Sequence, residues 1–232
     1  MPQIGPYTLH SIETGRFGLD GGAMFGIVPK PLWSKRIEPD AENRIPLNMR
    51  CLLLEGADRV ILIDVGVGDT FAGTKYEGIY AVDHGYADLD TSLAERGFSR
   101  ADVTDVILTH LHFDHCGGST VEKGGRMEVA FPNATYHVQR AHWNWANSPN
   151  PKEAGSFLER TFAPVKAAGQ LHLLDGAGHL QFGEQSVQVT LTAVVRLEHR
   201  PHPPGPTLVQ VDQHAEKRSR SVASGALSVN DG

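Results

Sequence analysis

Four side chains able to bind a metal fall within six residues of this 232-residue chain: His110, His112, Asp114 and His115, in the run HLHFDH. Side chains of an extended backbone alternate at period two, so His110 and His112 are expected on one side, where both imidazoles can reach one ion. Asp114 and His115 are neighbours and are expected to point apart, toward a second ion. Two ions about 3.5–4 Å apart can share a bridging hydroxide and polarise a substrate oxygen. The only cysteines are Cys51 and Cys116, too few for a thiolate cluster. Imidazole and carboxylate without thiolate suit one or two Zn(II) ions, with Fe(II), Mn(II) or Co(II) as alternatives. Gly117 and Gly118 follow at once, which lets backbone approach the site closely and could open a helix facing an anion.

The elements that must hold this run are legible on both sides of it. Cys51–Gly56 and Arg59–Asp64 are β-branched, apolar runs separated by two residues and read as a hairpin. Asp88 to Arg96 spaces its leucines helically, with Asp at the start and Gly97 after the end. Val103 to Thr109 reads as a buried strand that delivers His110 into a polar loop. Beyond the run, Ala134–Val138 reads as a strand, Gln139–Asn147 and Ala154–Ala168 as helices, and Leu171–Leu174 and Val187–Leu197 as strands. Strands in both halves with helices between them predict an α/β domain. From Glu198 the composition changes: HRPHPPGP holds four prolines in eight residues. Residues 1–212 are expected to form the domain, and residues 213–232 a poorly ordered tail.

Composition narrows the partners. Lys+Arg 21 against Asp+Glu 27 gives a net charge of −6, so no broad basic face is expected to bind nucleic acid. No signal-peptide pattern and no long apolar run occurs, so a cytoplasmic location without a membrane partner is expected. Oligomeric state leaves no signature. In Gly21–Trp33, the residues Met24, Phe25 and Trp33 lie in a Gly- and Pro-punctuated loop that either lines a substrate pocket or packs on the core. Trp143 and Trp145 pose the same choice. The other histidines, His142 and His137 among them, lack ligand spacing and read as structural or solvated.

Thr109–Gly118, THLHFDHCGG, resembles the HxHxDH signature of the metallo-β-lactamase-fold hydrolases, and Val60–Gly66, VILIDVG, resembles the strand and turn preceding it. The Gly21–Trp33 loop is similar to one that covers the active site in the lactonase-like branch. The resemblance implies a four-layer αββα sandwich, a dinuclear metal site at the sheet edge and hydrolysis by a metal-bound hydroxide. It implies that His110, His112 and a later histidine hold the first metal, and that Asp114 and His115 hold the second, with Asp114 also orienting the nucleophile. Asp64 would lie beneath the site in a supporting role. RPHPPGP, residues 200–206, aligns with the later family turn if His202 is the third ligand, with His199 its competitor.

The resemblance also implies a bridging Asp and a final His that this chain does not display: Ser221–Leu227 has Ala226 where the Asp would fall. A truncated or altered C-terminus, possible through a reading-frame shift after about Gln185, is the corresponding expectation. The expected function is therefore a metal-dependent hydrolase acting on an ester or lactone-like carbonyl of a small molecule. A catalytically impaired, metal-binding remnant of the same fold and a glyoxalase-type thioesterase are the alternatives.

Overall fold

The computed structural model describes residues 2–4, 7–56, 58–176, 178–182 and 185–189. Residues up to Leu174 form one unit, built on a seven-stranded sheet in the order β1-β2-β3-β4-β5-β8-β9. Its strands are β1 (Gln3–Ile4), β2 (Tyr7–Asp20), β3 (Arg44–Gly56), β4 (Arg59–Ile63), β5 (Asp105–Ile107), β8 (Thr135–Gln139) and β9 (Leu171–Leu174). The first four pair antiparallel and the last three join in parallel. A small separate ribbon, β6 (Thr120–Lys123) with β7 (Arg126–Val129), lies between β5 and β8 in the chain.

The parallel half follows from the crossovers. Between β4 and β5 run α3 (Lys75–Ile79) and α4 (Leu89–Ala94); between β5 and β8 runs α5 (Phe113–Cys116); between β8 and β9 run α6 (Arg140–Ala146) and α7 (Ala163–Ala167). Asp88 caps α4 through its carboxylate, which accepts from the Thr91 amide at 2.9 Å, and Gly97 follows with φ +84°. Leu53, Leu62, Val106 and Tyr136 occupy one register row across β3, β4, β5 and β8 and are buried under Leu93, Phe131 and Phe162. The two short helices α1 (Gly21–Phe25) and α2 (Lys30–Trp33) project between β2 and β3.

Two sequence expectations change. The expected hairpin forms as β3–β4, but β3 begins at Arg44, well before the apolar run at Cys51, because that outer half alternates polar and apolar residues that face solvent and core in turn. Ala154–Ala168 is not one helix. Two 3₁₀ turns, Ala154–Ser156 and Glu159–Thr161, precede α7. Phe157, between those turns, leaves helical geometry to form a bridge with His112, and Pro164 can only open a helix, which it does at the first turn of α7.

A second unit begins at Asp175, and its described part is the antiparallel hairpin of β10 (Gly178–Phe182) and β11 (Gln185–Val189). The seven-stranded sheet with helices in its crossovers makes the first unit an α/β domain. The expectations for His202, for Val187–Leu197 past Val189 and for residues 213–232 lie outside the described residues.

Candidate metal centre

The site forms where β4 and β5 end. The Asp64 amide donates to Ile107 O at 3.0 Å and Val65 N to His115 O at 2.9 Å, so the turn after β4 is stitched to the motif. Gly117 and Gly118 explain how closely. A Cβ on Gly117 would lie 2.2 Å from Val67 O, and one on Gly118 would lie 2.3 Å from Val65 O. No side chain fits there, and the close backbone approach expected of the glycine pair is what they provide. They continue as a 3₁₀ turn, Gly117–Ser119, and carry no helix N-terminus.

The four motif side chains come together. The His110 ring lies 4.6 Å from that of His112 and 4.0 Å from that of His115, centroid to centroid. His112 is the last extended residue before α5, and Asp114 and His115 sit inside that helix. The expectation that Asp114 and His115 point apart is thereby corrected. Helical neighbours are offset by about a quarter turn instead of half, and His115 Nε2 lies 3.3 Å from Asp114 Oδ2.

Asp64 holds this arrangement from below. Its carboxylate accepts from Thr109 N at 2.9 Å, from Thr109 Oγ1 at 2.8 Å and from His115 Nδ1 at 2.8 Å. The backbone of Asp64 is left-handed, with φ +57°, a conformation that Asp tolerates better than most residues. Binding Nδ1 of His115 to a buried carboxylate fixes the ring and leaves Nε2 for the site, the usual way a protein orients a metal-binding imidazole.

The electrostatics favour a cation. Burial drives His110 well below the usual imidazole range, reinforced by the neighbouring His115 and His112, so it offers a neutral lone pair. His112 is lowered by burial as well. Burial alone would raise Asp114, but the charge of His115 and its hydrogen bond outweigh it and bring the carboxyl down to about 2. Burial works against a charge on His115, yet Asp64 and Asp114 overcome it and raise the ring to about 10. Two carboxylates that hold a proton on His115 would equally stabilise a metal cation in its place. Two neutral imidazoles stand beside them, so the donor set fits a divalent ion. Among the described residues no three donors are already arranged around a single point; the fit lies in donor chemistry and in the Asp64 hydrogen bond.

Sequence spacing missed His142. It is buried on α6, and its Nε2 accepts the Leu111 amide at 2.8 Å, pinning the backbone between the two motif histidines. Nothing in the spacing of RAHWNWA marks this, because the contact spans 31 residues. Trp33 is buried, stacked on Phe25 at 5.1 Å and pressed against Gly21, where a Cβ would come within 2.4 Å of the indole. Met24 is exposed.

A cavity of about 580 Å³ is lined by Phe71, Tyr76, Tyr80, Phe157 and Leu158, with Lys75, Glu159 and Arg160 also on its wall. Phe157 joins it to the motif, its ring 4.8 Å from that of His112. Met24, Phe25 and Trp33 are not among its lining residues.

A family model described as the metallo-beta-lactamase superfamily matches residues 45–218. An N-acyl homoserine lactonase of Bacillus cereus is 31% identical over 112 residues, covering 45% of this chain and 41% of the relative. A structure described as a probable metal-dependent hydrolase from Staphylococcus aureus superposes with a TM-score of 0.67 at 30% identity, over 79% of this chain and 63% of the other. AidC, described as a dizinc quorum-quenching lactonase, shares the fold with a TM-score of 0.57 at 21% identity, over 75% of this chain and 60% of its own. The chain spans 22% to 41% of the length of the curated relatives it matches.

Proposed function

The chain belongs to the metallo-beta-lactamase superfamily, and from that membership we propose that it is a metal-dependent hydrolase opening the carbonyl of a small ester or lactone. The observation that carries the reading is the clustering of His110, His112, Asp114 and His115 over a buried Asp64 that orients His115. Those four side chains would hold one or two divalent ions, with zinc matching the donors best and His202 proposed as a further ligand. Such an ion supplies Lewis acidity and brings a water molecule's pKa to near 7.

The chain's own residues supply position. Asp64 fixes the tautomer and angle of His115, His142 anchors the Leu111 amide, and the ionised Asp114 would accept a hydrogen bond from the attacking nucleophile. The aromatic wall of Phe71, Tyr76, Tyr80 and Phe157 offers an apolar surface beside His112 for the non-reacting part of the substrate. The N-acyl homoserine lactonase named above motivates lactones as the first substrates to try.

The test is to strip the purified protein with a chelator and assay a panel of lactones, esters and thioesters before and after adding back zinc. Turnover should disappear on stripping and return with metal. Turnover that survives complete metal removal would refute the proposal, and a thioester preference would redirect it to the glyoxalase-type reading.

A further inference from the structure

We propose that the α1–α2 projection is a docking surface for an anionic lipid bilayer. Seven large hydrophobic side chains are exposed among the described residues, and four of them fall between positions 24 and 32: Met24 at 39%, Ile27 at 101%, Val28 at 40% and Leu32 at 58%. Single exposed apolar residues are ordinary, but a cluster on one projection is the mark of a contact surface.

Charge identifies the partner. The whole chain is net −6, yet residues 21–36 carry Lys30, Lys35 and Arg36 and no acidic residue. All three cations are exposed. Of the acids that flank this stretch, Asp40 and Glu42 both pair with Arg44, Asp20 accepts from Ala23 N and Asn43 Nδ2, and Glu38 is exposed. Exposed aliphatic side chains beside three exposed cations match the two forces that hold a protein on an anionic membrane, apolar insertion and attraction to headgroups. A second copy of this chain fits less well. Isologous pairing across this patch would bring two sets of Lys30, Lys35 and Arg36 into one interface, and like charges brought together oppose association.

The scaffold beneath is suited to the task. Phe25 stacked on buried Trp33 ties α1 to α2, and the Asp20 carboxylate caps α1 through Ala23 N. The projection can therefore hold Ile27 and Leu32 out in water without collapsing. The sequence-based expectation of no membrane partner rested on the lack of a spanning segment. Among the described residues no helix is long and apolar enough to cross a membrane, and that leaves surface binding untouched.

The experiment is co-sedimentation of the full chain with vesicles of phosphatidylcholine alone and of phosphatidylcholine mixed with phosphatidylglycerol. Binding is expected to the anionic vesicles and to weaken in high salt. Removing the three cations (Lys30→Gln, Lys35→Gln, Arg36→Gln) should weaken it on the order of a hundredfold. Ile27→Asp should weaken it by about tenfold or more. Because the Ile27 side chain is fully exposed, that variant should melt with the parent, which separates lost docking from lost folding. Failure to bind either vesicle, equal binding to both, or a self-association that Ile27→Asp abolishes would each overturn the proposal, the last in favour of a second copy.

Discussion

Two aspartate–histidine pairs hang from the same sheet with nearly the same hydrogen bond, 2.8 Å from His115 to Asp64 and 2.9 Å from His137 to Asp105, yet their surroundings assign them opposite work. Asp105 starts β5, where its second oxygen accepts from Arg59 Nη1 at 3.0 Å and from Thr104 Oγ1 at 2.8 Å. The guanidinium balances the carboxylate, and the His137 ring is spent between Asp105 and His172, whose Nδ1 lies 3.0 Å away. Asp64, past the end of β4, has only Thr109 and His115 as donors among the described residues. Its charge is left for His115 and whatever cation His115 faces. A carboxylate already matched by arginine makes a structural joint; one matched only by imidazole and hydroxyl can make a metal support.

The sharpest way to break this contrast is to remove a donor. His112→Ala should cut turnover by on the order of a thousandfold or more, beyond the ten- to hundredfold of an orienting partner. A rate within tenfold of the parent would show that the motif is not the reacting centre. Asp105→Ala should leave metal content unchanged and instead lower unfolding stability by about 3 kcal/mol in urea titration, toward the low end for a broken buried pair because Arg59 is partly exposed. Acid gives the matching signature. Burial would raise the Asp105 pKa, but the hydrogen bonds from His137 and Thr104 and the charges of His137 and Arg59 outweigh it and lower it. A lowered folded pKa contributes stability above the unfolded value that is lost as pH falls through the folded one. Asp105→Asn should therefore flatten the stability loss below about pH 4, while an unchanged acid limb would deny the pair that role.

Asp64→Asn comes next. Asn keeps the left-handed backbone and the Thr109 contacts but cannot offer the same charge to His115 Nδ1. Zinc affinity in a competition titration with a chromophoric chelator should fall ten- to hundredfold. An affinity equal to the parent's would place Asp64 with Asp105, as a joint and nothing more.

What the sequence disclosed about these two regions was uneven for physical reasons. HLHFDH is local: all four donors lie within two turns of chain, so residue type and spacing are enough, and the strands ending at Ile63 and Ile107 carry dense β-branched runs. The same local reasoning failed once inside the motif, because the polar loop after β5 turns helical at Phe113 and brings Asp114 and His115 together. His137, His172 and His142 were read as structural or solvated, and each proves to be a hydrogen-bonding partner. Their partners lie 31 to 35 residues away and meet them only through parallel strand pairing or helix packing. Asp64 was placed in a supporting role by family resemblance alone. The structure shows it hydrogen-bonded to Thr109 and His115.

The smallest effect tests where the structural pair ends. His172 lies on β9, directly across from His137 in the register, but its side chain is exposed. Removing it takes one imidazole from His137 Nδ1 and opens that edge to water, which can replace a neutral hydrogen bond at little cost. Asp105, Thr104 and Arg59 keep their own bonds, so the joint stays charge-balanced. His172→Ala should therefore lower stability by no more than about 1 kcal/mol and leave zinc affinity unchanged. A loss as large as that of Asp105→Ala would mean that the two imidazoles act as one unit and that the joint extends to the sheet edge. A fall in zinc affinity would join the two regions that the hydrogen bonds keep apart.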